Sequence, residues 1–319
     1  VKKILVTGGS GFIGTNLIEC YSESNEFEVL NIDIKPPKIV EHKKFWKEAN
    51  ILDRDTIEDI IKKFNPDYII HLAARANLTG KSLKDYEVNT EGVKNIIMMG
   101  NKYKTIRKII FASTMLVCKA GYIPKKDDDY CPPNFYGESK MIGENIVRSE
   151  SKNFEWTIVR PTSIWGPWFG PTYKKFFEMI IEGKYINFSS KMSTKTYGYV
   201  GNLVYQLDKI LFSESSNGRT LYLGDYSPTN IKEWANEIAD ELDKKIYEVP
   251  TFLIRTVAIF GDIAQKLKIK FPINSFRFEN MITDNIVPLD ATKRIAPETK
   301  FSRIQGIKLT LDWMESKRE

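Results

Sequence analysis

The sequence predicts an α/β fold: a doubly wound parallel sheet followed by a smaller C-terminal α/β lobe. Three observations carry that prediction. Short apolar runs alternate with helix-period stretches through the first half, three glycines stand where the first run gives way to the first helical stretch, and the regular alternation weakens after about Trp165. Alternation of this kind builds a parallel sheet with helices on both faces, and right-handed crossovers leave few other arrangements. Ligands then bind at the carboxyl ends of the strands.

In chain order, Lys3–Thr7, Glu28–Asp33, Tyr68–Ala73, Lys108–Ser113 and Thr157–Arg160 are short, apolar and rich in β-branched residues, which predicts buried strands. Phe12–Tyr21, Arg54–Phe64, Leu83–Tyr103 and Tyr136–Ser151 lie between them and carry the helical period. The stretch "WGPWFGPTY" then reads as a Pro/Gly/aromatic loop, and further helices are expected at Asn202–Phe212, Ile231–Leu242 and Gly306–Met314. The expected division is residues 1–165 for a dinucleotide-binding domain, to which later segments are free to return, and 166–319 mainly for a substrate lobe.

Composition bounds the function without naming it. With 319 residues, 42% hydrophobic and 28% charged, the chain has ordinary globular usage and enough length for a large core. A net charge of +6 suits an anionic small ligand, and no Arg-rich, aromatic-interleaved run points to nucleic acid. Cys20, Cys118 and Cys131, with only His42 and His71, give neither a disulfide framework nor zinc-type spacing, so no metal is expected. No charged-then-apolar leader precedes the first strand, and the expectation is a cytoplasmic enzyme without a membrane span. The apolar segment Thr251–Leu267 is interrupted by Arg255 and Asp262 and reads as an amphipathic core helix.

Within "ILVTGGSGFIGTNLI", Gly8, Gly11 and Gly14 mark the hand-over from strand to helix. A dinucleotide pyrophosphate needs close backbone approach and helix N-terminal amides at such a point. Asp33 falls at the end of the second strand, where a carboxylate accepts the adenosine ribose hydroxyls and repels a 2′-phosphate, so NAD is expected over NADP. Lys35 nearby weakens that preference.

The second informative stretch is "YGESK", where Tyr136 and Lys140 lie four apart and therefore on one helical face. A free phenol titrates near pH 10, and bringing it to neutrality takes about 4 kcal/mol of preferential phenolate stabilisation. Lys140 is expected to supply much of it.

With these pieces in place the chain resembles the extended short-chain dehydrogenase/reductases, specifically the NAD-dependent epimerase/dehydratase group that modifies nucleotide sugars. The matching motifs run in order through most of the chain: "TGGSGFIG", Asp33, "ANILD", "IIHLAA", "VNTEG", "FASTMLV", "YGESK", "VRPTSIWGP" and "YGYVGNLV". The resemblance implies a Rossmann-like cofactor domain, a nucleotide-sugar substrate, and Thr114 completing a catalytic set with Tyr136 and Lys140. It also implies cofactor contacts at Phe12 and Ile13 beside the glycines, at Asn50 and Ile51, at Leu72, Ala73 and Ala74, at Asn89, and at Pro161 and Ile164. Ser163 and Lys195 stand where relatives often carry a substrate-contacting asparagine and arginine, and a homodimer through Leu83–Tyr103 and Tyr136–Ser151 is expected.

The same resemblance sorts the reactions. Dehydratases carry an acidic pair directly after the catalytic threonine, whereas this chain has Met115 and Leu116, which cannot move the protons that elimination of water requires. Epimerisation through a keto sugar is therefore the expected reaction, with a keto-sugar reductase or hydroxyl dehydrogenase as the alternative. A non-catalytic cofactor-binding regulator would not be expected to keep Thr114, Tyr136 and Lys140 together. His71 reads as a packed histidine in a buried strand, the cluster Lys125–Tyr130 as a solvated loop, and Trp165 and Trp168 as either cleft lining or loop packing.

Overall fold

The computed structural model describes residues 1–189, 192–253, 256, 260–262 and 275–317. The expected helix at Thr251–Leu267 lies largely outside the described residues.

Seven strands form one all-parallel sheet: β1 (Lys2–Thr7), β2 (Phe27–Asp33), β3 (Trp46–Glu48), β4 (Tyr68–His71), β5 (Lys108–Ala112), β6 (Glu155–Pro161) and, after four short strands, β11 (Arg219–Leu223). Their order across the sheet is β11-β6-β5-β4-β1-β2-β3. Strand order reverses between β1 and β4, which opens a crevice at their carboxyl ends. Ile4, Leu5, Val6, Ile69, Ile70, Ile109 and Ile110 are fully buried, as expected for strands covered on both faces.

The helices supply that cover. On one face α2 (Arg54–Phe64), α3 (Glu91–Lys102) and α4 (Phe135–Glu150) bury Ile57, Ile60, Ile96, Ile97 and Val147 in one cluster. On the other, α1 (Phe12–Ser22) and α6 (Val200–Leu211) bury Leu17, Ile18, Leu203 and Leu207. Caps fix several ends. Asp53 accepts from Thr56 N at the start of α2, and Asn65 ends that helix with φ 54°, a left-handed conformation that asparagine tolerates.

One element departs from the expectation. Leu83–Tyr103 is not one helix: a 3-10 segment, Leu83–Asn89, precedes α3, with Tyr86 non-helical at φ −114°, ψ 22°. The break has a physical cause in Asn89, whose fully buried amide accepts from Arg75 N at 2.9 Å and donates to Arg75 O at 3.1 Å, fixing the chain at that point. Part of the later chain packs on the main sheet, where α6 covers one face and β11 adds a new edge beside β6.

The rest of the later chain forms two-stranded ribbons. β7 (Ser163–Trp165) pairs with β10 (Tyr197–Tyr199), β8 (Ile186–Phe188) with β13 (Tyr247–Val249), and β9 (Thr194–Lys195) with β12 (Thr229–Asn230). Trp165 lies at their centre, fully buried, with its ring 5.1 Å from both Trp234 and Tyr199. Trp168 packs on Trp313 at 5.5 Å. Both tryptophans are thus held by aromatic packing. Among the described residues this part also carries α5 (Pro171–Ile181), α7 (Ile231–Asp240), α8 (Ser275–Ile282), α9 (Asp290–Ile295) and α10 (Arg303–Ser316), the last started by a Ser302–Gln305 capping box.

Candidate active site

The glycine loop lies at the β1/β4 crevice. A side-chain carbon on Gly8, which has φ +74°, would lie 2.6 Å from the Ala73 backbone nitrogen, and one on Gly14 would lie 2.5 Å from Gly8 O. Both glycines are therefore required by the protein's own close packing. At Gly11 the nearest atom would be Gly8 O at 3.1 Å, so the fold presses on that position much less. Gly11 is the residue that starts α1; no side chain caps it and no acidic residue stands in the first turn, which leaves the N-terminal amides of Phe12, Ile13 and Gly14 to an outside anion.

Asp33 is turned toward the same loop. Its Oδ2 accepts from Ser10 N at 3.1 Å and its Oδ1 from Lys35 N at 3.0 Å, which fixes the carboxylate while leaving lone pairs for hydroxyl donors. A bare helix N-terminus, an unobstructed glycine and a fixed carboxylate at the end of β2 together fit the pyrophosphate and ribose of a dinucleotide. Leu72, Ala73 and Ala74 follow β4 beside Gly8: Leu72 N donates to Thr7 O and Ala73 N to Thr7 Oγ1. Asn50 and Ile51 follow β3, but Ile51's side chain is buried against Gly92 and its carbonyl accepts from Asn95, so it faces the core. Ile164 likewise packs inward against Gly198, and Pro161 ends β6.

His71 is buried, its Nδ1 2.7 Å from Thr7 Oγ1 and its Nε2 without a partner among the described residues. Burial, with Lys140 nearby, pushes its pKa down to about 3, so the ring is neutral near pH 7.

Thr114, Tyr136 and Lys140 converge at the end of β5. Asn134 starts α4, its side chain accepting from Gly137 N at 2.9 Å, and so places Tyr136 in the first turn. A side-chain carbon on Gly137 would lie 2.1 Å from Leu116 O. Only glycine lets the two backbones meet there, and that contact brings Tyr136 to Thr114. Tyr136 is 8% exposed and Thr114 7%, and the Thr114 side chain lies near enough to the phenol to favour its ionised form.

The electrostatics differ from expectation in one respect. Burial pushes the Tyr136 phenol above its ordinary value, and the opposing influence comes from the Thr114 side chain rather than from Lys140. Lys140 Nζ instead donates to Ala112 O at 2.8 Å, and burial, opposed by Glu144, brings the ammonium down to about 8. The lysine is thus held against the strand end and stays largely cationic at neutrality.

Around this pair the expected supporting residues take up definite places. Asn89 Nδ2 donates to Ser139 Oγ at 2.9 Å, and Ser139 donates to Tyr136 O at 2.7 Å, linking the loop after β4 to the first turn of α4. Ser163 lies in β7, its hydroxyl 4.0 Å from the Met115 sulfur, and Met115 clusters with Tyr222 and Leu289. Lys195 lies on a separate ribbon, where burial lowers its pKa and Asp284 opposes the change.

Sequence reasoning passed over Asn134, Gly137, Glu144 and Arg160. Two signals were present: Glu144 continues the spacing of Tyr136 and Lys140 by one more turn, and Arg160 is a lone charge in the buried strand "TIVRP".

A family model described as the NAD dependent epimerase/dehydratase family matches residues 4–218. The chain is 25% identical to N-acetyl-alpha-D-glucosaminyl-diphospho-ditrans,octacis-undecaprenol 4-epimerase of Escherichia coli O157:H7, over 97% of this chain and 94% of that one. It is 30% identical to dTDP-D-glucose 4,6-dehydratase of Dictyostelium discoideum, over 66% of this chain and 56% of that one. Among solved structures it resembles UDP-glucose 4-epimerase of Thermotoga maritima with UDP-glucose, at TM-score 0.74 and 22% identity, covering 99% and 100% of the two chains.

Proposed function

Because the chain belongs to the NAD-dependent epimerase/dehydratase family, we propose that it is an epimerase that inverts a hydroxyl-bearing carbon of a nucleotide sugar by reversible hydride transfer. The N-terminal amides of Phe12, Ile13 and Gly14 and the Asp33 carboxylate would hold NAD, which would supply a reversible hydride acceptor and a positive ring that favours the phenolate of Tyr136. Tyr136 takes the proton of the sugar hydroxyl as that carbon becomes a ketone, and gives it back when the ketone is reduced on its other face. The Thr114 hydroxyl orients the reacting oxygen. Lys140 adds fixed positive charge one helical turn away and offers N–H donors toward the cofactor's ribose.

The observation that carries this choice within the family is Met115. It directly follows Thr114 and packs with Tyr222 and Leu289, so the position that would have to protonate a departing hydroxyl is apolar. Epimerisation needs no such group. A second reading concerns the carrier: the Escherichia coli relative, whose name specifies a diphospho-undecaprenol, aligns with 97% of this chain, which supports a polyprenyl diphosphate in place of the nucleotide.

The test is to incubate the purified protein with UDP- and dTDP-sugars and with polyprenyl-diphosphate sugars, without added cofactor, and follow interconversion by NMR together with absorbance at 340 nm. Interconversion without net NADH is expected. A stoichiometric requirement for reduced cofactor would instead assign a reductase, and a loss of water a dehydratase.

A further inference from the structure

The tail of β5 and the inner face of α4 meet in three successive contacts. Thr114 stands beside Tyr136, Ala112 O accepts from Lys140 Nζ at 2.8 Å, and Ser113 Oγ donates to Glu144 Oε1 at 2.6 Å. Tyr136, Lys140 and Glu144 are spaced by four, so they share one face of the helix. The third contact is the most heavily fixed. Arg160, fully buried in β6, grips Glu144 with both arms of its guanidinium, Nε to Oε1 at 2.8 Å and Nη2 to Oε2 at 2.7 Å. Tyr130 OH and Arg148 Nη2 also donate to Oε2, at 2.9 and 3.1 Å.

Nothing in the proposed chemistry uses these groups, yet they sit directly behind it. A helix packed on a strand end is free to slide or roll unless something polar fixes its register, and a bidentate arginine–carboxylate pair is a directional fixture.

We propose that Glu144 is a positioning residue for the reaction: held by Arg160 and bonded to Ser113, it locks α4 against the tail of β5 and so sets where Tyr136 and Lys140 stand relative to Thr114. This rests on the reading of Tyr136 and Thr114 as the proton-transfer pair. Glu144 also acts on Lys140 through its charge. Burial raises the Glu144 carboxyl, but Arg160, Ser113 and Arg148 outweigh it, so Glu144 remains an anion and supports the lysine's positive form. The other ionisable groups around this ladder are His71, neutral beside Lys140, Tyr86 beside Tyr136, and Tyr130 and Tyr222 on the faces of Arg160.

Two variants test the proposal. Ser113→Ala removes the third contact and leaves the ion pair whole; kcat is expected to fall about tenfold while KM, NAD affinity and Tm stay near wild type. Glu144→Gln removes the anion beside Lys140; the alkaline limb of the kcat profile is expected to move toward acid by about one pH unit. If Glu144→Gln fails to fold with Arg160 left unpaired, Ser113→Ala decides alone. A Ser113→Ala protein with unchanged kcat, or whose loss lies only in KM or Tm, overturns the proposal, as does a folded Glu144→Gln protein with the wild-type pH profile. Failure of the underlying reading has a separate signature, namely wild-type turnover by Tyr136→Phe.

Discussion

Replacing Gly137 by alanine adds one methyl group at the point where α4 meets the turn after Thr114. The added carbon would start 2.1 Å from Leu116 O, whereas such contacts are essentially never shorter than 3.0 Å, so the helix start and the turn must separate by at least 0.9 Å. The obstacle is a backbone carbonyl, which cannot rotate aside as a side chain would. Alanine favours a helix over glycine by about 1 kcal/mol, so the helix itself gains from the change. The loss falls on geometry: Tyr136 is carried away from Thr114, and a misplacement of about 1 Å costs on the order of 10²-fold in rate, about 2.7 kcal/mol of barrier. Steady-state kinetics on the identified diphosphate sugar is the assay, with NAD binding and circular dichroism as checks that the cofactor domain is intact. Gly170→Ala is the control, because nothing lies within 4 Å of its added carbon. A Gly137→Ala enzyme with wild-type kcat and an intact fold would refute the claim that backbone contact places the phenol.

Three further outcomes are expected. Asp33→Ala should weaken NAD binding about tenfold and narrow the preference over NADP, measured by titration calorimetry with both cofactors; an unchanged ratio would remove Asp33 from the ribose site. Asp225 is buried and accepts from Tyr199 N and Asn202 Nδ2, and burial, against those hydrogen bonds, raises its carboxyl to about 6. Its folded-state pKa lies above the unfolded value, so the stability it contributes is fully present below about pH 4 and lost as pH rises through about 6. Relative to Asp225→Asn, wild type should lose about 3 kcal/mol of unfolding free energy between pH 4 and pH 7 in urea titrations, and parallel profiles would refute the assignment. Finally, sedimentation at micromolar concentration should give a homodimer, paired through α3 and α4, which pack side by side on one face of the sheet; a monomer would contradict this.

Much of the site was legible because its residues are close in sequence or set by one element. The glycine loop announces itself by lying between a strand and a helix, and Tyr136 and Lys140 by a single helical turn. What escaped depends on contacts between separate elements, which local patterns at most hint at. Gly137 is required by Leu116, 21 positions earlier, and Glu144 is fixed by Arg160, 16 positions later, across a different strand. The break at Asn89 follows from its bonds to Arg75, which the helical period through Leu83–Tyr103 conceals. The return of Arg219–Leu223 to the sheet edge is likewise invisible in a short strand of which only Leu221, Tyr222 and Leu223 are apolar. Lys140 illustrates the remaining gap: spacing places it on Tyr136's face, but only the structure shows its ammonium bound to Ala112 O.

The most direct measurement is turnover by Tyr136→Phe on whichever diphosphate sugar the wild-type protein is found to interconvert, with retained NAD quantified in the same preparation. Loss of the phenolic proton carrier predicts a fall in kcat of about 10²–10⁴-fold with NAD content unchanged. Wild-type kcat in a protein carrying phenylalanine at that position would contradict the assignment of proton transfer to Tyr136.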